Sequence, residues 1–470
     1  MNKHVRLGLR ISILSYAVLH FITYFYHHDL LFNLLAVSGC LLPLFAALFL
    51  SLSNFKLPLF LFITGLVLML ISDTSFWEAF QGGLTLMQSM IGLLVIIPMI
   101  GWVLNDEPYI ESIMRFAYRM INTSRKLYFG IISFTQIISY FLMFGAIPMM
   151  YQFVNKMVGS NQGEALENFK STAVLRAFAL STIWVVTIPS FVYAVETLEA
   201  SLWVAIIQGF FISMVGIGIA MVFSHFEEKH YGVDLTTVIK KEMKEVMRDT
   251  GDEPNRNQNV LVFFILFVTL FGSIFLLHIV WPVDLLVQIP IVIFVWTLSY
   301  YLVKRNFGGF FREGTRYVTK DVERQSYQLS IMVSAGMMIN GLNQTGFGEF
   351  VVSGITTMQE AFPSINFLYF LPFIVIFLGF IGLGPLTVMV LVAGILTNIS
   401  LPYPPELIVI AITSGSVISI LLSPLIMPVI VLSGSNGLSG FKNGIKFNLR
   451  FAIVFYVMVQ VYVQLMIQVW

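Results

Sequence analysis

Long apolar runs recur along almost the whole chain, separated by short polar stretches. A helix needs about 20 apolar residues to cross the hydrocarbon core of a bilayer. By that measure the pattern predicts spans at 8–26, 30–50, 57–72, 84–104, 172–195, 200–224, 259–280, 283–303, 326–341, 405–433 and 447–469. Two further apolar stretches, 127–158 and 366–399, are interrupted near their middles by glycine and proline, in "FLMFGAIPMM" and "FIGLGPLTVM". Each half is short for a crossing, so each stretch is expected to be a re-entrant hairpin. Such backbone is tolerated at depth only where protein or a water-filled cavity surrounds it. The predicted fold class is an all-α polytopic membrane protein with about 11 transmembrane helices and two re-entrant hairpins.

Charge orients this pattern. With the N-terminus inside, all 26 lysines and arginines fall in inside segments or at inner span ends, the arrangement that the positive-inside bias predicts. The expectation is a multi-pass protein of a bacterial-type plasma (cell) membrane, N-terminus cytoplasmic and C-terminus outside. The basic start of the chain is followed by no small-residue cleavage site, so 8–26 is read as a retained span. Composition agrees: 57% of residues are hydrophobic and 11% charged, against about 25% charged in soluble domains. A net charge of +1 gives no reason to expect a nucleic-acid partner, and the lone Cys40 excludes an internal disulfide. There is no phosphate-binding glycine loop and no zinc-protease or hydrolase constellation, so neither direct ATP use nor an enzyme is expected.

The two halves match in order. "SYFLMFGAIPMMYQFV" at 139–154 parallels "VIFLGFIGLGPLTVMVLV" at 375–392, setting Gly145 on Gly382 and Pro148 on Pro385. "ALSTIWVVTIPSFVYAVE" at 179–196 parallels "TSGSVISILLSPLIMPVIVL", setting Ser181 on Ser416 and Pro189 on Pro424. Each half holds five spans and one hairpin, so the second is predicted to enter the membrane inverted. The expected organisation is a leading helix at 1–29, a first inverted repeat at 30–224, a cytoplasmic linker with an amphipathic helix at 225–258, and a second inverted repeat at 259–470.

Inverted repeats with discontinuous helices place substrate and coupling ion near the midplane. Proline removes a backbone donor, and the break frees carbonyls for a cation while aiming half-helix N-termini at an anion. The candidate substrate- and ion-binding residues are therefore Gly145 and Pro148 at the first tip and Thr187, Pro189 and Ser190 in the first broken span. In the second half they are Gly382, Gly384, Pro385 and Thr387 at the tip, and Ser419, Ser423 and Pro424 in the broken span. Arg176 joins them as a membrane-embedded cation, with anchoring at the inner face as its other reading. No other cofactor is expected; sodium at the two tips is the expected coupling ion, with a proton the alternative.

In this arrangement the chain resembles the ion transporter superfamily, and most of all the divalent anion:sodium symporters; citrate carriers are among the relatives. The resemblance spans nearly the whole chain and is one of topology. Where the symporters carry Ser-Asn-Thr at their tips, this chain reads "FGAIPM" and "GLGPLT". The resemblance implies elevator-type movement of a transport domain, usually within a homodimer, and a small anionic solute as partner besides the lipid bilayer. The reading is thus a secondary active transporter of a small, organic anion. The alternatives are an exporter of an inorganic oxyanion or amphiphile, and a non-transporting membrane scaffold of the same fold.

Remaining polar positions have plainer readings. Segments 108–121 and 347–362 have helical apolar spacing and are read as interfacial arms. Asn340 and Asn343 cap helices or hold an ion. Gln136 faces a cavity. His20 and His278 pack against neighbouring helices. Gln460, Gln464 and Gln468 form a stripe for helix–helix contact.

Overall fold

The computed structural model describes residues 3–51, 55–72, 74–109, 112, 123–158, 163–232, 236–237, 256–281, 283–361 and 366–469. Among these, every regular element is a helix, and nine stretches are long and apolar enough to cross a membrane. Eight of the nine coincide with expected spans; the ninth, Ser124–Lys156, covers the first expected hairpin. The expected spans outside the nine have identifiable reasons. Lys56–Ile71 has only 16 residues, Ser326–Asn343 is diluted by serine, asparagine and glutamine, and Gly163–Ser181 carries Glu164, Glu167, Lys170 and Arg176. Large apolar side chains stand exposed along the helices, among them Val303 (85%), Val280 (79%) and Ile71 (71%). A soluble monomer rarely carries so much contiguous apolar surface; this is a multi-pass membrane protein.

The chain forms two compact units. The first takes residues 1–103, 269–364 and 390–401, and the second takes 104–268, 365–389 and 402–470. Each unit draws on both halves of the chain, so neither coincides with 30–224 or 259–470. The expected linker 225–258 is shorter than its composition suggested. Residues 225–231 continue the helix Leu202–Tyr231, and 256–258 begin the helix Arg256–Val280. Most of its amphipathic segment, and most of the arm expected at 108–121, lie outside the described residues. The arm expected at 347–362 is the helix Phe347–Ala361.

In the first unit, helix Ser326–Asn343 packs along helix Lys56–Ile71. The seam is made of small residues: a Cβ added at Gly65 would meet the Met337 carbonyl oxygen at 2.6 Å, and one at Gly341 would meet the Gly65 oxygen at 2.9 Å. Ser326, Ser330 and Ser334, fully buried, continue that small-residue spacing. Lipid tails are as apolar as leucine, so close backbone approach rather than hydrophobic exclusion holds such helices together. Asn340 ties the same helix to its neighbour by donating from Nδ2 to the Ala79 carbonyl at 2.7 Å. His20 packs beside Gly92 and the Phe21 ring. Arg10 closes on the buried Glu323 with its Nη2 at 2.5 Å.

Candidate functional site

The second unit contains both interrupted stretches of the first half, most of the second hairpin and the whole second broken helix. Its first hairpin is Ser124–Leu142 and Ala146–Val158. Tyr128, near the start, donates to Thr172 Oγ1 at 3.2 Å, while Asn155, near the end, accepts from Lys170 Nζ at 2.7 Å. An unbent helix of that length would be about 50 Å long, so its two ends could not reach neighbouring turns of the same helix. The chain therefore doubles back at 143–145. Met143 makes the turn at φ +49°, a region that L-residues with side chains rarely enter.

The helix after the hairpin runs Gly163–Ser181, breaks, and resumes at Pro189–Thr197. Backbone turns close the break: Val185 N–H bonds the Ser181 carbonyl at 3.1 Å and Ile188 N–H the Val185 carbonyl at 3.0 Å. Thr187 donates its hydroxyl to the Tyr140 carbonyl, just before the hairpin tip. Gly209 packs so closely against the break that a Cβ there would fall 2.2 Å from the Ile183 oxygen. Ser190 is buried at the head of the resumed helix.

The second half has a turn and a broken helix of its own. Phe367–Phe380 and Pro385–Leu396 flank a turn at 381–384, where Gly382 takes φ +99°. The broken helix runs Pro405–Leu422 and resumes at Met427–Asn436. Ser423 donates to the Gly379 carbonyl at 2.8 Å, again reaching the limb that leads into the hairpin tip. Ser419 Oγ lies against the same Gly379. Pro424 has no N–H, and the Leu425 N–H turns to Ser423 Oγ at 3.3 Å. The carbonyls of Ile420 and Leu421 therefore lose the donors an unbroken helix would give them. By position in the resumed helix, Pro189 corresponds to Pro428 rather than to Pro424, which stands inside the break.

Helix Ala146–Val158 packs against helix Met427–Asn436. A polar layer fixes their relative height. Lys170 bonds Asn155, Ser171 Oγ accepts from Asn436 Nδ2 at 2.9 Å, and Asn436 and Asn443 bond each other. Asn155 and Asn436 each stand nine residues past the start of their helix. At 1.5 Å per residue both helix starts lie about 14 Å along the axes from this layer. Half of a hydrocarbon core is about 15 Å. Two helix starts in one unit therefore stand at the same distance from this layer, with proline in each first turn, where its missing N–H costs little.

The remaining candidates fall differently. Thr387 and Ser190 are buried but hydrogen-bonded to no other candidate residue among the described residues. Gly145 is exposed at the first tip, Pro148 lies one turn on, and Gly384 precedes Pro385 at the second. Arg176 is fully buried. Its Nε donates to Asn448 Oδ1 at 2.9 Å, Nη1 to Tyr128 at 3.2 Å, and Nη2 to Glu227 and the Phe447 carbonyl, both at 3.0 Å. The Phe451 ring lies 4.8 Å from its Cζ. These contacts make Arg176 a tie between helices and engage all three of its nitrogens. Gln136 likewise donates to Ser213 Oγ at 2.8 Å, and Gln460 to the Leu368 carbonyl at 3.2 Å.

Sequence reasoning missed the asparagine cluster of Asn436, Asn443 and Asn448, and the carbonyls of Tyr140 and Gly379. The signal for the first was three asparagines within thirteen residues of an apolar region; carbonyls carry none. Glu406 was missed too: it accepts from the Ser201 N–H at 3.0 Å and caps the helix Leu202–Tyr231. Compared with known protein families and with curated proteins, the chain matches none.

Proposed function

We propose that the protein is a secondary active transporter of a small, organic anion, coupled to sodium or protons. What supports this reading is that the helices starting at Ala146 and Met427 pack against each other in one compact unit and both start about 14 Å from a shared polar layer. Helix N-termini favour negative charge, so this pair suits the anion. The carbonyls of Ile420 and Leu421, with the Ser423 and Ser419 oxygens, suit a dehydrated cation. In this reading Thr187 and Ser423 hold each break to its own hairpin, while Gly382, Gly384, Pro385 and Thr387 shape the second tip.

The topology that goes with it has 11 spans and two re-entrant hairpins in inverted repeats, N-terminus cytoplasmic, in the plasma membrane. The resemblance to the divalent anion:sodium symporters adds an elevator motion, with the second unit as the moving body, and a homodimeric assembly. Carbonyls and hydroxyls rather than acidic side chains at the breaks favour sodium over a proton, whose relay needs a titrating group.

One observation favours a second reading, a non-transporting scaffold. The first tip offers no hydroxyl, and both break hydroxyls already donate to carbonyls. Thermal unfolding of the purified protein in sodium, potassium and choline salts, with mono-, di- and tricarboxylates, separates the two. A transporter gives a sodium-dependent rise that one acid enlarges, about 2.7 kcal/mol at a hundredfold excess over Kd, and that Ser423→Ala abolishes. A midpoint indifferent to every salt and acid selects the scaffold.

A further inference from the structure

Far from the breaks, the second unit has a cavity of about 760 Å³ where the first hairpin begins. Helix Ser124–Leu142 runs 19 residues from this cavity to the tip, about 28 Å along its axis. The cavity walls come from the start of that helix and the end of its neighbour, Leu202–Tyr231. Three permanent cations line it, Arg125, Lys126 and Lys229, against one carboxylate, Glu228. None of the three has a carboxylate within salt-bridge distance among the described residues. Arg125 Nη2 donates to His225 Nδ1 at 3.0 Å, which fixes the guanidinium and leaves its other donors unengaged by described residues. Glu228 accepts from Ser124 Oγ at 3.1 Å and is turned into the helix start.

About one turn further along the same helices the surface changes from cationic to apolar. Phe129 is 49% exposed one turn beyond Arg125, and Val222 (54%) and Phe226 (62%) flank His225. A soluble anion uses the cations alone and has no need of the apolar strip. A phospholipid uses both, with its phosphate at the membrane border and its chains along exposed apolar side chains.

We propose that this cavity is a binding site for one anionic phospholipid. Arg125, Lys126 and Lys229 hold the phosphate, and the acyl chains lie over Phe129, Val222 and Phe226. The proposal is independent of transport and needs only that the two helices cross a membrane. Charge complementarity selects anionic over zwitterionic headgroups.

Native mass spectrometry of the full chain, with phosphatidylglycerol and phosphatidylcholine of identical chains, tests it. The expected result is one phosphatidylglycerol retained under conditions that strip phosphatidylcholine. Each basic residue near an anionic surface is worth about fivefold. Arg125→Gln with Lys229→Gln therefore weakens retention about 25-fold with the circular dichroism spectrum unchanged. Arg312→Gln with Arg316→Gln, which removes two exposed cations of the first unit, leaves that lipid in place. Equal retention by the Arg125/Lys229 variant overturns the site. Displacement of the lipid by millimolar inorganic phosphate overturns the lipid as its occupant.

Discussion

The two breaks perform the same backbone task by different means. At 182–188 the chain is buried, its turns bond among themselves, and Gly209 lets the neighbouring helix press on the Ile183 oxygen. At 423–426 the break is shorter, Pro424 and Leu425 are partly exposed, and the carbonyls before them lose their helical donors. A Cβ added at Gly440 would meet Pro424 Cβ at 3.0 Å and the Pro424 oxygen at 3.2 Å, a looser contact. The tips differ likewise: Met143 takes a positive φ at the first, Gly382 at the second. The first half is locked by packing. The second leaves the Ile420 and Leu421 carbonyls without their helical donors and has a glycine at its tip.

The largest effect expected from this difference is steric. Gly209→Ala places a methyl 2.2 Å from a backbone oxygen that cannot rotate away, so the first break must shift. We expect a loss of about 3 kcal/mol, at the upper end of overpacking costs. Gly440→Ala meets Pro424 Cβ at 3.0 Å and should cost about 1 kcal/mol. Chemical unfolding of both variants checks the order; equal losses would remove the contrast between a locked and a loose break.

Next come the hydroxyls. Thr187→Val removes the hydroxyl donor of the Tyr140 carbonyl; Ser423→Ala removes one of two donors of the Gly379 carbonyl, which keeps the Gly382 N–H at 3.1 Å, and also takes the acceptor of the Leu425 N–H. An unmade buried hydrogen bond costs about 1–3 kcal/mol. We expect Ser423→Ala to be the costlier of the two by unfolding free energy, because it removes two bonds rather than one.

Spans were legible because twenty apolar residues and a bias in lysine and arginine are properties of composition. Turns and breaks were legible because Gly145, Pro148, Pro189 and Pro385 punctuate otherwise apolar runs. What was not legible depended on which helix faces which. Arg176 was open to an anion contact or to anchoring, since nothing in the sequence brings Asn448 and Glu227 to it. The match of Pro189 to Pro424 was reasonable by spacing, yet helix geometry starts the resumed segment at Met427. The division into two units was hidden for the same reason, since each unit gathers segments more than a hundred residues apart.

Smaller effects come from the tips. Holding Met143 at φ +49° costs about 1–3 kcal/mol. Met143→Gly removes that strain at an entropic cost of about 0.5–1 kcal/mol and should raise stability by about 1 kcal/mol. Gly382→Ala at φ +99° should lower it by a similar amount. Opposite signs in the unfolding midpoint sharpen the comparison; a loss at both tips would mean that the Met143 side chain contributes more packing than its backbone costs.

The smallest effect lies at the polar ends, where the two broken helices are tied by charge. Glu164, at the head of the first, is approached by Lys446 Nζ at 2.7 Å and by Lys442 Nζ at 3.1 Å just past the second. The bond from Lys446, then that from Lys442, holds the Glu164 carboxyl below the usual carboxylate range. A depressed folded-state value means that the contribution is fully present above the unfolded value of about 4.3. It is lost as pH falls through the folded one. The group is exposed, so screening keeps it to about 0.5 kcal/mol or less. Wild type should therefore exceed Glu164→Gln in thermal midpoint at neutral pH by a degree or so at most. That gap should close below about pH 4 and shrink with added salt. A gap that persisted in acid would mean that Glu164 acts through packing of the helix start rather than through its charge.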